Sequence, residues 1–299
     1  MSPVRKGKGF VNGIEDIVNR HLRLGKLSYG NKKACRLLSD TPIVDFDGGA
    51  FVSGIYEQIE VNAKSRLLEI SSSKKPPSSE NWRWEPRMTL TDGNAGKGHT
   101  GAEVPLERTI AMLSKMQRFG LRNSWTNQMP VGSGLTKDRD GGRRIDLVHR
   151  AAEGVYYFIE LKTSGPGDSD SPLHAAVELL TYALVYVYSR AHKKELNYDS
   201  SLEVLRDSAK QVHLRVLAPE DFYKFKDGTG AATKYKLKWF ENAIDSGLST
   251  FLKVNPRIRN LCMTFRFEEV KQDFIQSLGD HGFKIEFDPQ PVQWKGPAS

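Results

Sequence analysis

Asp146, Glu160 and Lys162 are the residues whose types and spacing could do chemistry. Residues 156–161 form an aromatic and β-branched run without a turn residue, which predicts a strand buried on both faces. Side chains alternate along a strand, so Glu160 and Lys162 project from the same face, about 6.6–7 Å apart. Lys162 has no obvious structural partner in the sequence. Charge at the end of a buried strand therefore indicates a functional site.

A predicted hairpin brings the aspartate to this pair. Residues 144–149 predict a second strand and residues 151–154 a turn. If the chain turns about Glu153, Asp146 lies opposite Glu160, with the two Cα atoms about 4.5–5.5 Å apart. Two carboxylates at so short a distance resist ionisation unless a cation lies between them, and their oxygen ligands suit Mg²⁺ or Mn²⁺. Lys162 could then orient a water molecule at the metal.

The order of these elements resembles the core of the PD-(D/E)XK nuclease superfamily: Asp146, then Glu160-Leu161-Lys162 on the next strand, then a long helix. The resemblance covers residues 103–217. It implies an α/β fold with a restriction-endonuclease-like αβββαβ core and Mg²⁺-dependent cleavage of phosphodiesters. It also implies that Asp146, Glu160 and the Leu161 backbone carbonyl bind the metal, and that Lys162 is catalytic. Ile145 stands where many members carry proline.

The Glu-x-Lys spacing alone carries little weight, because Glu269-Val270-Lys271 repeats it. That copy lacks an upstream aspartate hairpin, and residues 267–278 around it predict an amphipathic helix. The resemblance therefore depends on the order of elements around the first copy.

Residues 105–119 predict the first helix of this core, since Leu106, Ile110 and Leu113 form one apolar stripe. The resemblance implies that a glutamate of this helix reaches the metal, with Glu107 the best match and Glu103 the second. Acidic residues favoured by the helix dipole are the alternative explanation. Residues 124–134 predict the first strand, on which Gln128 either lines the cleft or is solvated.

Ser171-Pro172 predicts the start of the second helix, as an N-cap followed by proline at the first helical position. His174, Glu178 and Tyr182 then lie on one stripe. The pair Glu178 and Tyr182 is similar to the Gln-x-x-x-Tyr pattern of recombination-type members, with glutamate replacing glutamine. The resemblance gives both residues a supporting role at the metal site, or makes Glu178 a partner of Lys162. A solvated helix face is the alternative.

The net charge of +8 suits a polyanionic partner such as nucleic acid. Candidate contacts are the local basic clusters at Arg143, Arg144, Lys193 and Lys194. The two lysines also follow a predicted helix end, where the dipole favours cations. In the Ser/Pro/Gly-rich stretch, Trp82-Arg83-Trp84 could stack unpaired bases beside a cationic group, or the tryptophans could hold the loop against its own domain.

The chain is predicted to divide into a helical N-terminal extension (1–70), a linker or long loop (71–101), the nuclease-like core (102–218) and a C-terminal α/β addition (219–299), which includes a strand at 283–287. No apolar run approaches 18 residues and the N-terminus lacks a signal-peptide core, so a cytoplasmic protein without membrane contact is expected. Cys35 and Cys262 are too few for a disulfide framework or zinc site.

The sequence thus predicts a Mg²⁺- or Mn²⁺-dependent nuclease with DNA as the expected substrate; a homodimer would suit duplex cutting. An inactive nucleic-acid-binding protein on the same fold is one alternative. The other is an interaction protein, such as a defence-system component, in which the strand charges form an internal ion pair.

Overall fold

Among the described residues, four α-helices precede the first strand, and strands and helices are mixed after it. The computed structural model describes residues 9–73, 81–84, 103–118, 124–132, 143–163, 170–258, 260–271 and 288–294. Its helices are α1 (Ile14–His21), α2 (Lys32–Asp40), α3 (Gly48–Ser73), α4 (Glu103–Lys115), α5 (Pro172–Ala191) and α6 (Lys238–Val254). Its strands are β1 (Trp125–Pro130), β2 (Arg144–Ala152), β3 (Val155–Leu161), β4 (Gln211–Pro219), β5 (Lys224–Lys226), β6 (Ala232–Lys234), β7 (Cys262–Val270) and β8 (Gln290–Pro291).

A mixed sheet with the strand order β1-β2-β3-β4-β7-β8 organises the fold. Strands β1, β2 and β3 pair antiparallel, whereas β4 runs parallel to both β3 and β7. Between Glu103 and Pro219 the main elements follow the order α4-β1-β2-β3-α5-β4. The predicted α/β class with a mixed sheet is confirmed.

Helix α5 is the central helix of the molecule. Ser171 caps it by accepting a hydrogen bond from the His174 backbone N–H, and Pro172 occupies its first turn, as predicted. Between Pro172 and Arg190 every side chain except those of His174 and Glu178 is buried. The helix contacts β3 and β4 as well as α3. Layers on both sides of α5 explain why its sequence is apolar on most faces.

Helix α4 packs near β1 and β2 through a separate apolar cluster. The predicted stripe of Leu106, Ile110 and Leu113 is buried there, together with Leu147 and Ile159 of the hairpin. This cluster positions the start of α4, which carries Glu103 and Glu107, beside the sheet.

The N-terminal and C-terminal segments share one core with the central elements. Phe51 of α3, Tyr186 of α5 and Phe240 of α6 belong to the same buried cluster. Helices α3 and α6 approach closely where Gly48 meets Gly247, since a Cβ built on Gly247 would lie 2.2 Å from the Gly48 carbonyl oxygen. None of the helices within the described ranges is both long and apolar enough to cross a membrane.

The amphipathic helix predicted around Glu269 is wrong. Strand β7 occupies Cys262–Val270 and pairs with β4. Met263, Phe265 and Phe267 are buried at alternate positions, which is the two-residue period of a strand. The prediction started at Phe267 and missed this alternation. The rest of that segment and the strand predicted at 283–287 lie outside the described residues.

Trp82 anchors part of the predicted linker to the core. Its side chain is fully buried and edge-on to Tyr186, and its backbone N–H donates to the Pro130 carbonyl at 2.8 Å. A buried indole cannot stack an incoming base, so the structural alternative holds for this residue. Apart from the end of α3 at Ser73 and residues 81–84, the predicted linker lies outside the described residues.

Candidate active site

The β2–β3 hairpin brings Asp146 and Glu160 together. The chain turns at Glu153 and at Gly154, whose φ of 72° suits glycine. The pairing then runs to Leu147 opposite Ile159. Continuing that register by one residue places Asp146 opposite Glu160, as the sequence predicted. The side chain of Asp146 is 8% exposed and that of Glu160 3%.

A backbone hydrogen bond holds the Asp146 carboxylate in place. The Leu161 N–H, next to Glu160, donates to Asp146 Oδ2 at 2.9 Å. One residue further on, the Lys162 N–H donates to the Leu217 carbonyl of β4 at 2.9 Å. The end of β3 is thus fixed from both sides, which limits how far the Asp146 and Glu160 carboxylates can separate.

Three carboxylates, not two, converge at this point. One oxygen each from Glu103, Asp146 and Glu160 lie within 4.8 Å of one another. Glu103 is the first residue of α4, where the helix dipole favours an acid. Oxygen atoms this close form a set of hard ligands that could hold a divalent cation.

Lys162 lies among carboxylates and is 5% exposed. Its Nζ is 2.8 Å from Glu160 Oε1, 3.2 Å from Asp170 Oδ2 and 3.4 Å from Glu103 Oε1. Asp170 Oδ1 in turn lies 3.0 Å from His174 Nδ1 at the start of α5. The expectation that Lys162 lacks a structural partner is therefore wrong.

The carboxylates raise one another's pKa. Burial, more than any charge, raises the pKa of Asp146 to about 7, although Lys162 and the Leu161 N–H act in the opposite direction. Burial and then the Asp146 charge raise the pKa of Glu160. Burial lowers the pKa of Lys162, but the surrounding carboxylates outweigh this effect and leave its pKa above the ordinary value. The lysine is therefore charged, whereas the carboxylates compete for protons at neutral pH.

Glu107 is fully buried and lies beside this cluster, outside the set of oxygens within 4.8 Å. Gln128 Nε2 donates to Glu107 Oε2 at 2.7 Å, from a backbone position with a φ of 52°. Glu107 Oε1 has no hydrogen-bond partner among the described residues. Burial raises the pKa of Glu107 to about 8, so its carboxyl group is largely neutral at pH 7. Direct metal binding by Glu107 stays a prediction.

Glu178 and Tyr182 lie on the face of α5 that borders the site. The Tyr182 hydroxyl donates to Glu178 Oε1 at 2.7 Å. The Glu178 charge raises the pKa of both Asp146 and Glu160, so Glu178 interacts electrostatically with these two carboxylates. With Arg143 and His174 the two residues line a cavity of about 310 Å³.

The predicted nucleic-acid contacts lie in two regions. Arg143 is exposed at the cavity beside Glu178, and Arg144 begins β2. Lys193 and Lys194 follow the end of α5, about 30 Å along the helix axis from its start near the site. Lys193 Nζ lies 3.0 Å from Asp207 Oδ1. Direct contacts between these residues and nucleic acid stay a prediction.

Sequence reasoning missed Asp170 and ranked Glu103 below Glu107. Asp170 directly precedes the Ser171 cap, and an acid before a helix start is favoured by the dipole, so the signal for its position was present. Nothing in the sequence indicated that it would contact Lys162.

No protein-family model, no curated protein and no solved structure matches the chain. The function therefore has to be inferred from the geometry of the site.

Proposed function

We propose that the protein is a Mg²⁺- or Mn²⁺-dependent nuclease that hydrolyses phosphodiester bonds, with DNA as the expected substrate. The convergence of Asp146, Glu160 and Glu103 beside the Lys162 ammonium carries this proposal. Bringing several carboxylates together away from solvent costs free energy, because their negative charges repel each other and lose water. A bound cation would neutralise them, which gives a physical reason for the cluster.

The residues fit a divalent cation. Glu160 Oε2 is buried and has no hydrogen-bond partner among the described residues, so it is an acceptor that a metal would satisfy. All three carboxylates supply the hard oxygen ligands that Mg²⁺ and Mn²⁺ prefer. We assign Asp146, Glu160 and Glu103 as metal ligands, with the Leu161 carbonyl and Glu107 as further candidates.

The order of elements supports the same proposal. The sequence α4-β1-β2-β3-α5-β4 is an αβββαβ arrangement, with three antiparallel strands followed by one parallel strand. We propose that residues 102–218 form a restriction-endonuclease-like core. Asp146 and Glu160 occupy the second and third strands of that core, as expected for the PD-(D/E)XK superfamily.

Each side chain has a distinct task in the proposed reaction. A bound divalent cation would lower the pKa of the attacking water and polarise the phosphate. Lys162 would hold that water by donating a hydrogen bond and would offset negative charge that develops on the phosphate oxygens. Asp170 helps to orient the ammonium, since it accepts from both Lys162 and His174, and the Glu160, Glu103 and Asp146 carboxylates keep it charged. Glu178 and Tyr182 would maintain the negative potential beside the carboxylates.

Cleavage assays test this proposal directly. The purified protein is incubated with labelled single-stranded, duplex and branched DNA and with RNA, in Mg²⁺, in Mn²⁺ and in chelator. Glu160→Gln, purified in the same way, controls for contaminating nucleases. We expect cutting only by wild type with a divalent cation. The proposal fails if wild type cuts no substrate and calorimetry detects no Mn²⁺ binding.

A structural ion pair is the second candidate, because Lys162 and Glu160 are both buried and lie 2.8 Å apart. On this alternative the protein binds a partner without chemistry. It predicts that Glu160→Gln melts well below wild type in chelator, since Lys162 would lose its main partner at a cost of about 3–5 kcal/mol. The nuclease proposal predicts equal or higher stability, because Glu103 and Asp170 still neutralise the lysine.

A further inference from the structure

A basic cleft of about 410 Å³ adjoins the candidate active site. Helix α2 forms one wall, and β5 with the segment just before it forms the other. Five cationic side chains line the cleft, namely Lys32, Lys33, Arg36, Lys224 and Lys226. Neither wall belongs to the six elements of the proposed nuclease core.

The two walls are tied to each other. The Arg36 guanidinium lies 5.1 Å from the centre of the Phe225 ring on β5. The Ser39 hydroxyl accepts a hydrogen bond from the Lys236 backbone N–H at 2.8 Å. The first contact joins α2 to β5, and the second joins α2 to the segment after β6, next to the lining residue Tyr235. Together they give the cleft a defined width before any ligand enters.

Positive charge dominates the cleft. Two aspartates also line it, but Asp221 lies 3.3 Å from Lys224 and Asp170 is held by Lys162 and His174. Lys33 and Lys226 are exposed, one on each wall. A cleft with cations on opposing walls concentrates a polyanion between them.

The cleft leads to Lys162. Thr163 and Asp170 are among its lining residues. Thr163 follows Lys162 in the chain, and Asp170 Oδ2 lies 3.2 Å from the Lys162 ammonium. A ligand that fills the cleft therefore extends to within one side chain of the proposed catalytic lysine.

We infer that an unpaired segment of nucleic acid occupies this cleft, with its phosphates between Lys33 and Lys226, and that the cleft guides the strand to Lys162. The inference rests on the proposed function. The volume is that of a pocket for a small ligand, which admits a nucleotide or two but no duplex. The partly exposed Phe225, backed by the buried Phe222 and Tyr235, supplies apolar lining that suits a base rather than a bare anion.

Fluorescence anisotropy with the full chain in chelator tests the inference, because the proposed cutting requires a divalent cation. The probes are a labelled short oligothymidylate and a blunt duplex of the same length, titrated over a range of NaCl. Wild type is expected to bind the single strand more tightly than the duplex. For Lys33→Gln/Lys226→Gln, two lost phosphate contacts should lower the log–log salt slope by about 1.4 and the affinity about 25-fold at about 0.1 M salt.

Lys64→Gln/Lys253→Gln is the matched control, since it removes the same charge from exposed positions outside the cleft. It should keep the wild-type affinity and slope. An equal loss of affinity in both double variants would show that net charge alone binds the strand, and it would overturn the inference. Three other results would also overturn the inference. The cleft variant could bind the single strand with wild-type affinity, or wild type could bind the duplex more tightly than the single strand. Inorganic phosphate could also compete with the oligonucleotide at the oligonucleotide's own concentration.

Cleavage separates this inference from the proposed function. If the cleft variant loses strand binding while wild type never cuts with Mg²⁺ or Mn²⁺, the cleft assignment stands and the nuclease proposal fails. If wild type cuts and the cleft variant cuts single strands equally fast at low substrate concentration, the nuclease proposal stands and the cleft assignment fails.

Discussion

The Lys162 ammonium lies 2.8 Å from Glu160 Oε1, and both side chains are almost completely buried. Glu160 lies near the end of β3 and Lys162 directly follows the strand, and residues two apart along extended backbone project to the same side, so the two side chains remain neighbours. A metal at Glu160 would therefore have to share this carboxylate with the lysine. The competition between the ammonium and the metal gives the first test.

Lys162→Met should uncouple metal binding from cutting. Methionine keeps much of the side-chain volume without the charge, so the ammonium no longer competes for Glu160 and Glu103. We expect Mn²⁺ affinity, measured by calorimetry, to equal or exceed that of wild type. Cutting should fall by about 10²-fold or more, as for the loss of a group that stabilises transition-state charge.

The same variant should be less stable than wild type in chelator, by about 3 kcal/mol, because buried carboxylates lose their cation. Added Mn²⁺ should restore most of this stability. Cutting by Lys162→Met at the wild-type rate would contradict the assigned role, whatever its stability.

Asp146→Asn should change the pH dependence of stability. The folded state raises the pKa of Asp146 to about 7, so wild type loses stability as pH rises from the ordinary aspartate value to about 7. Asparagine carries no such cost and its Oδ1 can still accept from the Leu161 N–H. In chelator at about pH 8 the variant should be about 1–3 kcal/mol more stable than wild type, and nearly equal at about pH 4.

Asp45→Asn serves as the control for that experiment. Asp45 is exposed and pairs with Arg23, which lowers its pKa instead of raising it. Calorimetric unfolding of this variant should show no gain at high pH. An Asp146→Asn protein that melts below wild type at about pH 8 would indicate that the carboxylate stabilises the apo fold, against the repulsion inferred from its raised pKa.

The hairpin was predictable because its determinants are local. The alternation along β3 and the turn at Gly154 fix which residues oppose each other, so Asp146 and Glu160 could be placed from sequence. Glu103 and Glu107 are different, because residues four apart lie on the same helix face and periodicity cannot rank them. Which of the two glutamates reaches the site depends on the position of α4 along the sheet, and tertiary packing sets that position.

The partners of Lys162 and the basic cleft lay beyond sequence reasoning for another reason. Asp170 lies outside both β3 and α5, so neither the strand period nor the helix period relates it to Lys162. The cleft joins α2 to β5, and the basic residues of its two walls are far apart in the chain. Lys32-Lys33 and the pair Lys224 and Lys226 are each local in the sequence, but only the fold brings them together.

Glu103→Gln and Glu107→Gln should separate the two acids of α4. Glu103 contributes an oxygen to the close set with Asp146 and Glu160, so its loss should weaken Mn²⁺ binding by about tenfold or more. Glu107 is protonated up to about pH 8 and accepts from Gln128, so its neutral amide should leave Mn²⁺ affinity near wild type. Calorimetric titration at about pH 7 compares them. The reverse ranking would make Glu107 the ligand.

Glu178→Gln replaces the unusual glutamate of α5 with the amide found in the recombination-type pattern. The Glu178 charge raises the pKa of Asp146 and of Glu160, so removing it should let both carboxylates ionise at lower pH. The side-chain carbonyl of the introduced glutamine can still accept from the Tyr182 hydroxyl, which preserves the local packing. We expect the midpoint of the pH dependence of Mn²⁺ binding to move to lower pH, with cutting retained.

Tyr182→Phe removes the hydrogen bond without changing the charge and should leave that midpoint in place. An unshifted midpoint in Glu178→Gln would mean that the Glu178 charge does not act on the metal site.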